Sequence, residues 1–313
     1  MKIMIWLLLT PGLLRAILRL SGWDRGFLVQ LFAFTPYVAA WVWLPVIFAA
    51  TGRHWAAGGL ALVAAVILTA CVLPRAVPGR GPSGGVALQV MTSNLLFGRA
   101  DPATVVRLVR DHDIEVLAVQ EFTPEAQAGL RAAGLDDLLP YSSLAAETGT
   151  TGSGLYSRFP VTAAGAHRNG GGFMQAYGTI QPPGSDPLIV ESAHPNAPFA
   201  VSALNDWRED LAKQPHADPD GPARILLGDF NATLDHAELR DLISHGYRDA
   251  AVLAGKGLVP TWGPYHGPRR LPPVTIDHVL VDARIGVRDV RVHRVPDSDH
   301  RAVLAWLRVP TAK

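Results

Sequence analysis

Two stretches near the start of the chain are hard to place in any water-soluble core. Phe27–Ala50 runs for 24 residues without Asp, Glu, Lys or Arg, and Trp55–Leu73 is a second uncharged run rich in Ala, Val and Leu. Each reaches the ~18–20 apolar residues that cross a hydrocarbon layer. In such a layer the backbone must satisfy its own hydrogen bonds, so both runs are expected as transmembrane helices. Tyr37, Trp41, Trp43 and Trp55 are candidate interface anchors. A buried pair of helices in a soluble domain is the competing reading, and runs this long without charge disfavour it.

Met1–Leu20 admits three readings. Ile3–Leu14 is apolar, but Pro11 interrupts it, and Arg15 and Arg19 stand one helical turn apart. The segment reads as a short first span, an interfacial amphipathic helix or a signal-like segment, and the span is preferred.

Charge divides the chain in two. Residues 1–85 hold seven basic residues (Lys2, Arg15, Arg19, Arg25, Arg53, Arg75 and Arg80) and the single acid Asp24, a net of +6; the remaining 21 basic and 26 acidic residues give 86–313 a net of −5. Two spans would place the large domain in the cytoplasm with the basic flanks. Three spans with a cytoplasmic N-terminus would place it outside. The only cysteine, Cys71, lies in the last apolar run, so no intrachain disulfide reports on the compartment. Pro74, Pro78, Gly79, Gly81, Pro82, Gly84 and Gly85 then read as a boundary. The expected organisation is a membrane region over 1–73, a Pro/Gly linker over 74–85 and one large domain over 86–313.

Within that domain, strands and helices alternate before strands take over. Val86–Met91, Ile114–Val119, Gly154–Tyr156 and Leu188–Val190 read as strands. Asp101–Pro102 and Thr123–Pro124 each pair an N-cap with a proline at the first helical position. Phe199–Gln214 and Asp235–Ser244 have helical spacing, and Val274–Val281, Ile285–His293 and Ala302–Val309 are late strands. This alternation suits an α/β sandwich, two packed sheets covered by helices. The sequence shows no internal repeat.

The most informative stretch is RILLGDFN over 224–231. Ile225–Leu227 is a buried-strand pattern, Gly228 breaks it, and Asp229 and Asn231 follow two apart, pointing the same way on an extended backbone. The same event recurs along the chain. Asn94, Glu121, His194, Asp229, Asn231, Asp299 and His300 each sit just past or before an apolar strand. Strand ends gathered at one edge would make a cluster of carboxylates, carboxamides and imidazoles. Phosphoester hydrolysis uses that inventory: carboxylates for a hard divalent ion, a base for water and donors for developing charge.

The ordered segments SNLLFGRAD (93–101), VLAVQE (116–121), GLYSRFPV (154–161), SAHP (192–195), LLGDFNA (226–232), PTW (260–262), TIDHVLV (275–281) and SDHRAV (298–303) resemble the endonuclease/exonuclease/phosphatase superfamily. The membrane region ahead of them resembles the VanJ-type teicoplanin-resistance membrane proteins of that superfamily. The resemblance implies a four-layer α/β sandwich of two mixed sheets flanked by helices. It implies a metal site of Glu121, Asn94 and Asp299, filled by Mg²⁺ or Mn²⁺. It implies that Asp229 orients or deprotonates the attacking water, with Asn231 as its amide partner. His194 and His300 would meet the phosphate, and Asp277 would orient His300. Tyr156 and Arg158 are divided evenly between substrate contact and strand-edge packing. His278 and Trp262 read as packing residues.

The expected activity is hydrolysis of a phosphate ester or pyrophosphate, with a lipid-linked cell-envelope substrate fitting the anchor and a link to antibiotic resistance. That setting favours three spans, an extracytoplasmic domain and an Arg15/Arg19 pair that snorkels. A membrane-tethered nuclease is the alternative. A net of −5 disfavours strong binding to a phosphate backbone, although Arg269 and Arg270 would make a local patch. A catalytically inactive scaffold is a third reading, disfavoured by the complete set of polar residues.

Overall fold

The computed structural model describes residues 2–263 and 271–312. The Arg269–Arg270 pair lies outside the described residues. The N-terminal region is helical: α1 (Lys2–Ser21), α2 (Leu28–Phe32), α3 (Thr35–Trp41), α4 (Trp43–Thr51) and α5 (Trp55–Val72). The expected single span over Phe27–Ala50 is therefore broken into three pieces, and proline is the reason. Pro36 and Pro45 have no N–H to give the carbonyls four residues back. Those carbonyls belong to Phe32 and Trp41, where α2 and α3 end. The Thr35 hydroxyl donates to the Phe32 carbonyl at 2.7 Å in place of the missing backbone bond. Two helices, Ile3–Ser21 and Trp55–Ala76, are long and apolar enough to cross a membrane, and Thr35–Thr51 is shorter.

These helices pack as three runs of alternating direction, α1, α2–α4 and α5. Ile5, Ala49 and Ala57 pack together at one end, and Ala16, Val42 and Leu68 pack further along. The start of α1 thus lies beside the α4–α5 turn, and its end lies with the end of α5.

The helical region is joined tightly to the large domain. Asp235 accepts a bidentate pair from Arg75, at 2.6 and 2.7 Å, and a third bond from Arg19 at 3.0 Å. Asp24 accepts from the Ala237 backbone N–H at 2.8 Å, and Val29 is buried among Trp207, Phe230 and Leu239. Arg15 donates to the Leu31 carbonyl at 2.7 Å and lies over the Phe32 ring. Arg19 is thus paired with a carboxylate and Arg15 is held against the chain, where the expectation had both reaching to the membrane interface. The Pro/Gly stretch is anchored as well: Gly79 donates to the Leu253 carbonyl, and the Arg75 carbonyl accepts from Gly257.

The large domain is two mixed six-stranded sheets. The strands are β1 (Val86–Asn94), β2 (Val116–Gln120), β3 (Tyr141–Ala145), β4 (Ser153–Ser157), β5 (Thr162–Arg168), β6 (Met174–Ile180), β7 (Leu188–Ala193), β8 (Ala223–Asp229), β9 (Tyr247–Asp249), β10 (Asp277–Asp282), β11 (Gly286–Arg294) and β12 (Arg301–Val309). The sheet orders are β11-β12-β1-β2-β4-β3 and β5-β6-β7-β8-β10-β9. Each has one parallel pair, β1–β2 and β7–β8, flanked by antiparallel neighbours. The sheets therefore share a pairing pattern that no sequence repeat announces.

Inward residues of both sheets, among them Leu88, Val90, Val116, Val190, Ile225 and Val279, form the central core. Helices α6 (Pro102–Asp111), α7 (Pro124–Ala132) and α8 (Leu135–Leu138) cover the outside of the first sheet. Helices α9 (Leu204–Ala212) and α10 (Ala237–Ser244) cover the second, and the short α11 (Ala250–Leu253) precedes β10. The two cap-plus-proline signals work as expected: Asp101 accepts from Thr104 N at 2.9 Å and Thr123 from Ala126 N at 3.1 Å. The helix expected from Phe199 begins only at Leu204, after an irregular loop and a 3-10 turn over Val201–Ala203.

Candidate active site

Strand parity alone brings most of the site together. Alternate residues of a strand share a face. Leu88 and Val90 of β1 face the central core, so Asn94 does too, at its rim. Ile225 and Leu227 of β8 lead in the same way to Asp229, and Asp277 of β10 shares its face with Val279 and Val281. Asp277 pairs directly with Asp229 across the antiparallel β8–β10 ladder. His194 follows the inward Leu188 and Val190 of β7. A buried polar layer separates these groups from the apolar core: Gln120 donates to Ser192 Oγ at 2.9 Å and Thr92 to Gln120 Oε1 at 3.1 Å. Gly228 lets β7 and β8 approach here, because a Cβ would stand 1.9 Å from the Ala193 carbonyl oxygen.

Two residues enter the site by leaving strand geometry. Val119, two before Glu121, faces the α6–α7 layer. A φ of 52° turns Glu121 away from that direction, a left-handed conformation that costs roughly 1–2 kcal/mol for a residue with a Cβ. Its carboxylate then accepts from Asn94 Nδ2 at 3.2 Å and from the Phe97 backbone N–H at 2.7 Å. Asn231 has a φ of 49°. Its backbone N–H, rather than its carboxamide, donates to Asp229 Oδ1 at 2.8 Å, while Nδ2 donates to the Pro195 carbonyl at 3.1 Å. Asn231 therefore ties the Asp229 turn to the loop carrying His194.

Asp229 is the centre of the cluster. Its Oδ2 accepts from Asn94 Nδ2 at 3.0 Å, with His300 Nε2 at 3.6 Å and His194 Nε2 at 3.9 Å. His300 Nδ1 lies 3.0 Å from both oxygens of Asp277. Thr261 Oγ1 accepts from the backbone N–H groups of Ile276 and Asp277, both at 3.0 Å. Asp299 Oδ2 accepts from Trp262 Nε1 at 3.0 Å, whereas its Oδ1 is buried with no hydrogen-bond partner. His194 Nδ1 is buried and unpartnered in the same way.

Burial and charge set the protonation states. Burial lowers the His300 imidazole, but Asp277 and Asp229 outweigh it and push the pKa up to about 10. His300 is thus an imidazolium at neutral pH. Burial dominates at His194, assisted by repulsion from His300, and its pKa falls to about 3, leaving a neutral ring. Burial raises Asp229, partly offset by the His300 charge. Burial also raises Glu121, with repulsion from Asp299 adding to it and bonds from Phe97 and Asn94 opposing it.

The donor set fits a divalent cation at Glu121 and Asp299. Two carboxylates repel in a desolvated space, and one of them holds a bare oxygen; a hard cation relieves both conditions. The tightest grouping of acids and histidines among the described residues is different: atoms of Asp229, Asp277 and His300 lie within 4.8 Å of one another. There the imidazolium already supplies the positive charge between two carboxylates, so we read it as a proton-holding bridge.

Eight of the ten residues singled out from the sequence meet here: Asn94, Glu121, His194, Asp229, Asn231, Asp277, Asp299 and His300. Tyr156 and Arg158 do not, which corrects the substrate-contact reading. Tyr156 is buried edge-on against Phe122 on the helix side of the first sheet. Arg158 lies beyond Ser157, which pairs with Val116 at the opposite end of β2 from Glu121, and it bonds Asp113 at 2.7 Å. His278 is structural, held by Asp249 at 2.7 Å and the Ala232 carbonyl at 2.9 Å. Sequence reasoning missed the supporting residues Trp262, Thr261 and Ser298. Ser298 Oγ donates to the Asn94 carbonyl at 2.9 Å and accepts from His300 N at 3.1 Å. The PTW and SDH segments contain all three, so position was visible and role was not.

Similar proteins share the fold. The profile of the endonuclease/exonuclease/phosphatase family matches residues 91–300. Among solved structures, an endonuclease/exonuclease/phosphatase from Beutenbergia cavernae has a TM-score of 0.58 at 17% identity, covering 72% of each chain. D. rerio TDP2 in complex with a single-strand DNA product has a TM-score of 0.55 at 13% identity, covering 71% of this chain and 99% of its own. SmcL has a TM-score of 0.53 at 15% identity, covering 70% and 98%. No curated protein matches the chain in sequence. Covering every residue of the cluster and all strands but β12 in whole or in part, the profile match shows that this chain belongs to the endonuclease/exonuclease/phosphatase family.

Proposed function

We propose that this protein is a membrane-anchored, divalent-metal-dependent phosphoesterase acting on a phosphate ester or pyrophosphate at a membrane surface. Family membership supports hydrolysis of a phosphate-containing substrate. The observation that carries the reading is the Asp277–His300–Asp229 bridge, with Asn94 linking Asp229 to Glu121.

Each group then has a task. Glu121 and Asp299 would hold Mg²⁺ or Mn²⁺, which would polarise a phosphoryl oxygen and offset its developing charge; Asn94, expected as a third ligand, turns its Oδ1 to the Leu96 N–H and instead fixes the Glu121 carboxylate through Nδ2. Asp229, raised by burial and fixed by Asn94 and Asn231, accepts a proton from the attacking water. The His300 imidazolium, kept charged by Asp277, donates to a phosphoryl oxygen. Neutral His194 offers a ring nitrogen to the same oxygens.

The apolar helices support the anchor, since two have the length and hydropathy of membrane spans. With three passes, Lys2 and Arg53 lie across the bilayer from the catalytic domain, whereas Arg19, Arg25, Arg75 and Arg80 lie on its side, so the charge rule favours a cytoplasmic domain over the extracytoplasmic one expected. The test is hydrolysis by the full-length protein of a prenyl pyrophosphate, a lipid phosphodiester, a soluble phosphodiester dye and duplex DNA, with Mg²⁺ or EDTA. Glu121→Ala serves as the blank. We expect release from a lipid substrate that EDTA and Glu121→Ala both abolish. Turnover that survives in both would sink the metal assignment, and efficient cutting of DNA alone would replace this reading with a tethered nuclease.

A further inference from the structure

The rim of the catalytic cleft is attached to the apolar helices at two points. The Pro198 carbonyl accepts from Gln30 Nε2 of α2 at 2.8 Å, and the Pro273 carbonyl accepts from Tyr37 Oη of α3 at 2.6 Å. Pro198 is four residues beyond His194, and Pro273 is four residues before Asp277. Each attachment is thus within ~14 Å of chain from a site residue. The broken middle pass lies directly beside the mouth of the site.

Among the described residues, the rim exposes apolar side chains. Phe199 is 76% exposed and Val201 61%, both on the loop between β7 and α9, and Phe97, whose N–H holds Glu121, is 49% exposed. The loop from Pro195 to Leu204 contains no charged residue. Next to it, the helical region exposes Phe27, Leu31 and Trp41, and α1 and α5 expose Leu7, Ile17, Leu62 and Val63. Exposed apolar surface of this extent marks contact with lipid or another apolar partner. The uncharged Pro195–Leu204 loop offers nothing to a nucleic-acid backbone, which demands basic groups; on the Phe97 side Arg99 lies over the ring at 5.5 Å and can pair with a lipid phosphate.

We propose that Phe199 and Val201 insert into the same lipid surface that seats the N-terminal helices, so that the catalytic mouth faces the bilayer and receives the phosphate of a lipid headgroup. This deepens, and rests on, the reading of the protein as a membrane-anchored phosphoesterase. The apolar part of such a substrate stays in the bilayer, and only its headgroup rises to Asp229 and His300. The uncharged loop leaving His194 keeps the acyl portion in contact with protein along that path.

The decisive measurement locates residue 199 without reference to turnover. Full-length protein carrying Cys71→Ala and Phe199→Cys is labelled with an environment-sensitive fluorophore and reconstituted in phosphatidylcholine vesicles. An Asp220→Cys protein serves as the control, because Asp220 is exposed and precedes β8, at the end of that strand opposite Asp229. A quencher on the lipid acyl chains should dim the label at 199 and leave that at 220 bright, as for a side chain ~5–10 Å below the headgroup boundary. Quenching of both labels by aqueous iodide, with no effect of the lipid quencher, would overturn the proposal. Protection of position 199 from both quenchers would overturn it too, by showing a second protein copy on this face. Separately, Phe199→Asp with Val201→Asp should cut turnover of a lipid phosphoester about tenfold and leave a soluble phosphodiester dye untouched. Equal losses on both substrates would count against a lipid lip.

Discussion

Two buried clusters of acids and bases lie only six residues apart in sequence, and they behave in opposite ways. At Asp235, Arg75 binds both carboxylate oxygens and Arg19 adds a third bond. Burial raises this carboxyl, but the two guanidiniums outweigh it and hold it below its usual value. At Asp229, burial prevails and the carboxyl is held above its usual value. Around it His194 Nδ1 and Asp299 Oδ1 remain buried without partners. A saturated cluster has no capacity left for a ligand and serves to hold two layers together. An unsaturated one stores unfavourable desolvation that a metal, water or phosphate can relieve. The difference lies in the partners, since both are aspartates at the end of or just past β8.

The comparison can be broken most directly at Asp229. Asp229→Asn keeps the shape and one of the two accepted hydrogen bonds but removes the proton acceptor, and should lower kcat by about 10²–10⁴-fold with a proportionally far smaller loss of stability. A parallel loss of activity and stability would make Asp229 structural, like Asp235. The converse holds at the seam. Arg75→Met removes one partner of a buried pair and should destabilise the fold by roughly 3–5 kcal/mol, measured by thermal unfolding in detergent. Adding Asp235→Leu should restore much of that loss, because the stranded charge goes with it. Unchanged unfolding in the single variant would show that the seam is not a clamp.

The third and smallest effect is on pH dependence. His300 is raised above its unfolded value, so the stability it contributes is complete below about pH 6.5 and is lost as pH rises through about 10. If its charge also serves catalysis, the alkaline limb of kcat/KM follows the same group. Asp277→Asn removes the largest favourable charge and should move that limb toward neutrality. An alkaline limb that stays in place would detach His300 from the rate.

Much of this protein was legible from local sequence. The period-2 runs, the caps at Asp101 and Thr123 and the polar residue past each strand require only neighbours along the chain, so α/β layering and seven of the eight site residues followed from them, while Asp277 came from the family resemblance. Pro36 and Pro45 also stood in plain view, although their consequence was underestimated. A run with the hydropathy of one span became three helices, because two carbonyls lacked a donor. Tertiary structure decided the rest. The left-handed φ of Glu121 follows from the bonds its carboxylate makes to Asn94 and Phe97, 27 and 24 residues away. The pairing of Asp235 with Arg19 and Arg75 spans 216 and 160 residues and turns an expected linker into a rigid seam. Trp262, read as packing, supports Asp299 from 37 residues away. Such contacts are set by how two sheets and a helical bundle come together, and no periodicity within one segment encodes that geometry.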